Sequence, residues 1–481
     1  MKKTGIVLAI VFALLLAGLA AGGFVLKKNI EQSAREILRT AIGPDAETAV
    51  GDVSFSFLDR TVTAKDWRSR KELPGAPVSM QASEVKAVFA PRVALASIPS
   101  LGSLLFKDAD VVPVFDRVAF YGFKSASGPV TYEAEAVQAE GVRMTFDLIK
   151  KRLAGIEPSP LENVEGTWTE QFSVRRVRIV AEPEGTLSAR EVKLTGINGV
   201  AAERFVMDSA EFATNDGTLV NCRQLSAEKL AFPASAYRKI QELGDGKDAN
   251  LADLLGILAE FKKSGPFVSQ VKLDGIRMPA DAGYLDADEL VFGWKSVDPL
   301  SVDMHLRGLK IPAKVLEKSD LKLRGLDGVE IDADLDSTGL ATSRHKGFLR
   351  IRNIFELQFD GTYIAPSSAV KDVHLQLKDY ALLAQAAVNF TPDGMAAAMM
   401  LKAGAQALCL GDPDERKSQC AKLAQFIDAP GTIVVDTPKG LAIPTDKIVE
   451  DLTHGRFGSL FTLTVQPGGR TLDQLIRELP R

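Results

Sequence analysis

Two acidic clusters are the first residues in this sequence that invite a chemical reading. Asp286 and Asp288 stand beside Glu289, and the run GVEIDADLD (Gly328 to Asp336) places Glu330, Asp332, Asp334 and Asp336 at alternate positions. Paired carboxylates can divide general-acid and general-base work, and carboxylate oxygens are ligands for hard divalent cations. Strand alternation puts Glu289 on the opposite face from the two aspartates, which separates that acid from its base. The second run shares one strand face and could hold a cation weakly. A solvated strand face accounts for both clusters with fewer assumptions.

The other chemistry-bearing residues are sparse. His305, His345, His374 and His454 lie far apart, and the three cysteines (Cys222, Cys409 and Cys420) form no C-x-x-C pair. A zinc site built from close ligand pairs is therefore not expected. Cys409 and Cys420 sit eleven apart across a Gly-Asp-Pro-Asp turn, where a local disulfide is geometrically easy, whereas Cys222 reads as a small buried hydrophobe. There is no G-x-x-x-x-G-K-[ST] phosphate loop and no G-x-S-x-G elbow. The expectation is a protein that is not an enzyme, with no catalytic, cofactor-binding or metal-ligating residue and no cofactor. With 58 basic against 62 acidic residues, a net charge of -4 and only short basic patches such as Arg175, Arg176 and Arg178, nothing favours nucleic acid as a partner.

The elements around these residues begin with one strong signal. Gly5 to Leu26 are 22 consecutive uncharged, mostly apolar positions between Lys2-Lys3 and Lys27-Lys28. As a helix they would span roughly 33 Å, enough for a hydrocarbon core of about 30 Å. The small residues Gly18, Ala20, Ala21 and Gly22 could suit a signal peptidase, but the apolar run continues through Phe24, Val25 and Leu26. The reading is an uncleaved signal anchor; no cysteine ends the run, so it is not a lipoprotein signal. Large domains translocate largely regardless of flanking charge, which places the body outside the cytoplasm. The expected location is the inner membrane, crossed once, with the bulk of the chain periplasmic.

Beyond the anchor the period changes. Asn29 to Ile42 reads as a short helix carrying Ile30, Ala34, Ile37, Leu38 and Ala41 on one face, ended by Gly43-Pro44. Val53, Phe55 and Phe57 then alternate with polar residues, as do Val62 and Ala64, which predicts a β-hairpin turning at Asp59-Arg60. An imperfect repeat follows: VAFYGF (Val118–Phe123), VQAEGV (Val137–Val142), VKLTGI (Val192–Ile197), VKLDGI (Val271–Ile276), MHLRGL (Met304–Leu309), LKLRGL (Leu321–Leu326) and, more loosely, LQFDGT (Leu357–Thr362). Each copy has one apolar and one polar face, and its glycine suits a bulge or tight exit near the strand's end. The glycine intervals are irregular, so the pattern predicts many similar strands in a long meander rather than a strict solenoid.

Three stretches interrupt the strands. Phe146 to Leu153 reads as one or two helical turns, and Ala234 to Lys263 as a helical hairpin with Leu251, Leu254, Leu255, Leu258 and Phe261 on one face of its second helix. Towards the C-terminus, Met395 to Leu408 and Asp412 to Phe426 read as helices, the second capped by Asp412-Pro413. Strands at Thr432–Val435 and Leu460–Val465 and a helix from Thr471 to Leu479 complete the region. The domains are thus an anchor over 1–28, β-rich body over 29–233, helical insertion over 234–265, β-rich body over 266–368 and an α+β unit over 369–481. The fold class is mainly β with α additions: a transmembrane helix, a long meandering antiparallel sheet able to curve into a groove, and the C-terminal unit as an edge cap.

The anchor, the short amphipathic helix, the early hairpin GDVSFSFLDRTVTAKDW (Gly51–Trp67) and the repeated h-x-h-x-G-h strands together resemble the AsmA-like group of bacterial envelope proteins. The likeness covers about the first 370 residues. It implies long curved sheets whose apolar interior guides lipids between membranes. On this chain the groove-facing residues would be Val118, Phe120, Val192, Leu194, Val271, Leu273, Met304 and Leu306. The function expected is lipid handling or assistance to membrane and outer-membrane assembly, with membrane and lipid as partners. The alternative is a non-enzymatic periplasmic scaffold whose apolar faces are filled by helices and whose outer surface binds other envelope proteins.

Overall fold

A computed structural model describes residues 27, 31, 32, 34, 35, 38, 39, 46–72, 77–91, 99–153, 156, 162, 165–199, 201–231, 268–297, 299–318, 323–391, 394–408 and 410–479. The apolar run at 5–26 and the helical hairpin expected over 234–263 lie outside the described residues. Among the described residues no helix is long and apolar enough to cross a membrane.

The chain divides into two compact units, residues 1–271 and 272–481. The first carries β1 (Glu47–Ala49), β2 (Val53–Ser56), β3 (Thr61–Lys71), β4 (Val78–Phe89), β5 (Val111–Ser127), β6 (Val130–Thr145), β7 (Thr167–Ala181), β8 (Gly185–Asn198), β9 (Ala201–Thr214) and β10 (Leu219–Ala231). Helices α1 (Pro99–Leu105) and α2 (Phe146–Leu153) lie between strands. Strand β11 (Gln270–Ala280) begins at the unit boundary. The second unit continues with β12 (Gly283–Val297), β13 (Leu300–Pro312), helix α3 (Ala313–Lys318), β14 (Gly328–Thr338), β15 (Thr342–Ile351), β16 (Phe355–Ile364), β17 (Ala369–Asp379), β18 (Thr432–Asp436), β19 (Ala442–Pro444) and β20 (Thr462–Gln466).

In each unit the pairing is antiparallel and mostly between consecutive strands, so the expected meander is present. Short hairpin connections place each strand beside its predecessor, and alternation then gives every pair the same two faces.

The repeat copies in β5, β6, β8, β11 and β13 have their glycines (Gly122, Gly141, Gly196, Gly275 and Gly308) at φ between +57° and +61°. Gly308 sits at a register shift against β14, a bulge as the sequence predicts, whereas Gly122, Gly141 and Gly196 are left-handed kinks across which the ladder keeps its register; the strands run on past them. The physical reason is visible in β6. Val137 and Ala139 face inward, and unbroken alternation would next send Gly141 and Arg143 to the same side. Gly141 absorbs one residue in the left-handed region, and Val142 and Met144 are buried instead (6% and 1% exposed), with Arg143 outside. A left-handed kink therefore resets the phase without breaking the ladder or shifting its register.

These resets align across the first unit. One line pairs Gly141 with Glu170 and Gly196 with Glu203, whose carboxylates lie where a Cβ on either glycine would stand. Another runs through Asp66, Gly122, Arg176 and Ser209 on β3, β5, β7 and β9, all at positive φ. Lys229 takes the same conformation on β10. A non-glycine residue there costs about 1–2 kcal/mol, so four of these seven positions carry strain that the sheet sustains.

Several expectations are corrected. Residues 323–327 of the LKLRGL copy form a turn rather than a strand; Gln385 brackets it, accepting from Arg324 N and donating to Arg324 O, each at 3.0 Å. The second C-terminal helix, α6 (Ser418–Asp428), starts six residues later than expected after α4 (Leu382–Phe390) and α5 (Met395–Ala407). Asp412 does not cap it. Its buried carboxylate instead accepts from Gly458 N and Ser459 Oγ, each at 2.6 Å, at the start of the short helix over Phe457–Leu460, where a first-turn amide has no partner within its own helix. Helices α4, α7 (Thr445–Thr453) and α8 (Phe457–Leu460) escape the sequence reading, whereas α9 (Leu472–Glu478) starts at Thr471 with a capping box to Gln474.

Replacing Gly196 (φ +61°) by alanine is expected to lower stability by about 1–2 kcal/mol from backbone strain, since the facing Glu203 side chain can swing aside. Gly404→Ala, in an exposed turn of helix α5 with open space around it, is expected to raise stability by about 1 kcal/mol. Urea midpoints of the two variants should move in opposite directions.

Candidate apolar ligand face

The alignment of phases produces two apolar rows that cross nine strands of the first unit without a break. One runs Phe55, Val62, Ala87, Val118, Ala139, Phe172, Leu194, Phe205, Ala227. The other runs Val53, Ala64, Val85, Phe120, Val137, Val174, Val192, Met207, Leu225. The sequence-derived residues Val118, Phe120, Val192 and Leu194 all lie on them. A parallel row is mixed at its start and aromatic or aliphatic further on: Thr48, Ser69, Met80, Ser125, Tyr132, Ile179, Leu187, Phe212, Val220. Burial raises the Tyr132 phenol to a pKa of about 12.

Burial changes along these rows. Over β2 to β5 they are covered, with Val62, Ala64, Val85 and Ala87 at most 2% exposed. The described residues of the N-terminal helix, Ala34 and Leu38, pack there, and Trp67, fully buried, donates its indole N–H to Leu38 O at 3.0 Å. Helix α2 adds Phe146, Leu148 and Ile149 to the same core. From β7 onward Phe172, Val192, Leu194, Phe205, Met207 and Leu225 are half-buried, and Phe212 is 40% exposed. A cavity of about 770 Å³ lies at the strand ends beside Ala49, Ser69, Met80, Ser125 and Tyr132.

The second unit repeats the arrangement by itself. Leu290, Leu306, Ala333, Leu349, Leu357, Leu377, Ile433 and Val465 form one row across eight strands. Beside it run Phe292, Met304, Leu335, Gly347, Phe359, Leu375, Val435 and Leu463. The Phe359 ring lies over Gly347, occupying the space a side chain there would need. Phe426 and Leu423 of α6 cover the row at β18 and β20, whereas Leu290, Leu306, Leu349 and Leu357 stay half-buried. Met304 and Leu306 are thus on the apolar face; Val271 and Leu273 are half-buried on β11, between residues whose Lys272 and Asp274 pair at 3.2 Å.

The opposite face absorbs the acidic clusters. Asp286 faces Arg277 at 3.6 Å and Asp288 faces Lys310 at 3.9 Å; Glu289, which simple alternation puts on the other face, lies on this one too and faces Lys272 at 2.6 Å. In the GVEIDADLD run Glu330 pairs with Arg352 at 2.7 Å and Asp336 with Lys295 at 3.1 Å. His305 is held between Asp334 (2.6 Å from Nδ1) and Asp303 (3.1 Å from Nε2). Asp332 accepts the bulge amide of Gly308 at 2.9 Å and the Arg350 guanidinium. Each carboxylate thus has a basic or backbone partner, and among the described residues no cluster is arranged to hold a metal ion.

Cys420 is buried and disulfide-bonded; Cys409 lies outside the described residues. Cys222 is buried, as expected, with Sγ 3.1 Å from Gln224 O.

Sequence reasoning missed Phe172, Phe205, Met207 and Leu225. The signal was their alternation in β7, β9 and β10, where Arg176, Ser209 and Lys229 stand in for the motif glycine. Set against known families and curated proteins, the chain matches no family model and no curated relative.

Burial opposes ionisation of Asp332, but the Gly308 amide and the Arg350 and Arg307 charges outweigh it and hold the carboxyl below the usual range. A depressed folded-state pKa gives stability that is complete above the unfolded value of about 3.9 and is lost as pH falls through the folded one. Asp332→Asn should destabilise by about 1–3 kcal/mol at pH 7 and flatten the acid limb of a stability profile measured by urea unfolding from pH 7 to 2.5.

Proposed function

We propose that this chain is a single-pass, membrane-anchored envelope protein of the inner membrane, its bulk periplasmic, that handles lipids or assists membrane assembly through its apolar sheet faces. The observation that carries the reading is the pair of unbroken apolar rows in each unit, covered at one end and, apart from buried Val174 and Ala227 in the first unit, half-exposed over the rest. Exposed apolar strips of this length are rare on proteins that work alone in water. An acyl chain laid along a row would lose no hydrogen bond, because the strand backbones are already paired, and each methylene withdrawn from water would contribute about 0.8 kcal/mol. The resemblance to AsmA-like proteins and the apolar run at Gly5–Leu26 support the same setting beside a bilayer. The ion-paired outer face would keep the body soluble while the inner face carries the cargo. No residue is assigned a catalytic role.

The full chain, extracted from membranes in mild detergent, should copurify lipid detectable by mass spectrometry. Leu194→Glu and Leu349→Glu, each on a half-buried row, should cut the retained lipid several-fold while leaving the thermal midpoint within a few degrees. Wild-type protein free of lipid, or charged variants that retain as much as wild type, would sink the reading.

A further inference from the structure

Polar side chains interrupt the apolar face of the second unit at the β14–β15 turn. Where β14 turns into β15, Ser337, Ser343 and His345 occupy positions on the apolar side. Ser337 pairs in register with His345 and with Val302, which pairs in turn with Trp294. Val302 and Trp294 stand two residues from Met304 and Phe292, so all belong to the side that carries the apolar rows. The imidazole is held from both edges: Nδ1 is 3.1 Å from Ser337 Oγ and Nε2 is 2.8 Å from Ser343 Oγ. Ser343 is 7% exposed.

A count of protons shows what this group lacks. A neutral imidazole offers one N–H and one bare nitrogen. One hydroxyl donates to the bare nitrogen; the other accepts from the N–H and keeps its own proton for an acceptor outside the group. A protonated imidazole donates to both hydroxyls and leaves two such protons. In every state at least one O–H is uncommitted. Trp294 adds a second donor, because its indole N–H is buried and has no hydrogen-bond partner among the described residues. An unsatisfied buried donor such as this indole is costly, and it shares a largely apolar face with the spare hydroxyl proton. A ligand that brought oxygen acceptors attached to a hydrocarbon chain would satisfy donors and rows together.

We infer that this notch receives the oxygens of an acyl ester whose chain lies along the apolar row beginning at Met304 and Leu335, an assignment that rests on the lipid-handling reading. Ser343 acts here as a donor and not as a nucleophile. A serine hydroxyl, rather than a carboxylate, holds the far nitrogen of its histidine, so nothing stabilises the imidazolium that acyl transfer would require.

The test uses the full chain in dodecyl maltoside micelles, labelled with 15N at the tryptophan indoles and titrated with methyl palmitate or with hexadecane. Three indole signals arise from Trp67, Trp168 and Trp294, and Trp294→Phe assigns the last. Methyl palmitate should bind about tenfold more tightly than hexadecane, a difference of about 1.4 kcal/mol, and should alone move the Trp294 N–H proton downfield. Trp294→Phe and Ser343→Ala should each reduce the ester's advantage at least threefold and leave hexadecane binding unchanged. If hexadecane shifts the Trp294 signal as far as the ester does, or the variants keep the full preference, the notch is not an ester site and the lipid reading survives without it. If neither compound binds, the lipid reading falls and takes the notch with it. The wild-type spectrum decides even where a variant fails to fold.

Discussion

Strand alternation has a period of two, and a long strand whose core-facing residues fall out of step must either bury a charge or slip its register. This protein takes a third course. Residues in the left-handed region absorb one position each, and they do so in lines across neighbouring strands, so that all strands change phase together. Gly141 keeps Arg143 outside and brings Val142 and Met144 in. Everything else about the sheet follows from that shared shift: the apolar rows stay continuous and the charged residues stay opposite them.

With the two faces kept apart, their chemistry diverges. The outer face is a lattice of exposed ion pairs, such as Lys124–Glu133 at 2.6 Å, each contributing little to stability in high dielectric. Asp332 differs because it is nearly buried and meets the amide that the Gly308 bulge leaves without a ladder partner. The acidic run that first suggests cation chemistry is thus the polar half of the bulge architecture. On the inner face the energy is in apolar area, and the coverage of each unit at one end by helices turns part of that area into core.

The half-exposed remainder is what needs an occupant. In the first unit the rows leave the cover of the N-terminal helix beyond β5; in the second, the Ser337–His345–Ser343 group and the Trp294 N–H add unspent donors to the same kind of surface. On the proposed reading an amphiphile would answer both features, with methylenes on the rows and oxygens at the notch.

Much of this was legible in the chain itself. Val118, Phe120, Val192 and Leu194 announce a one-sided strand because alternation is a local property, and Gly122, Gly141 and Gly196 announce left-handed kinks because only glycine enters that region without strain. The early hairpin and the capped last helix are equally local. What the sequence could not show is that Arg176, Ser209 and Lys229 fill the same backbone role. Neighbouring strands impose that conformation on them, so the repeat looks irregular although the kinks are aligned. Nor could it show that Asp412 turns away from its helix to bind Gly458 N, or that Ser337 and Ser343 clasp one imidazole. Sequence fixes the faces of single strands through side-chain periodicity; which residues meet across strands, and which donors go without acceptors, depends on register, and register exists only once the sheet has formed.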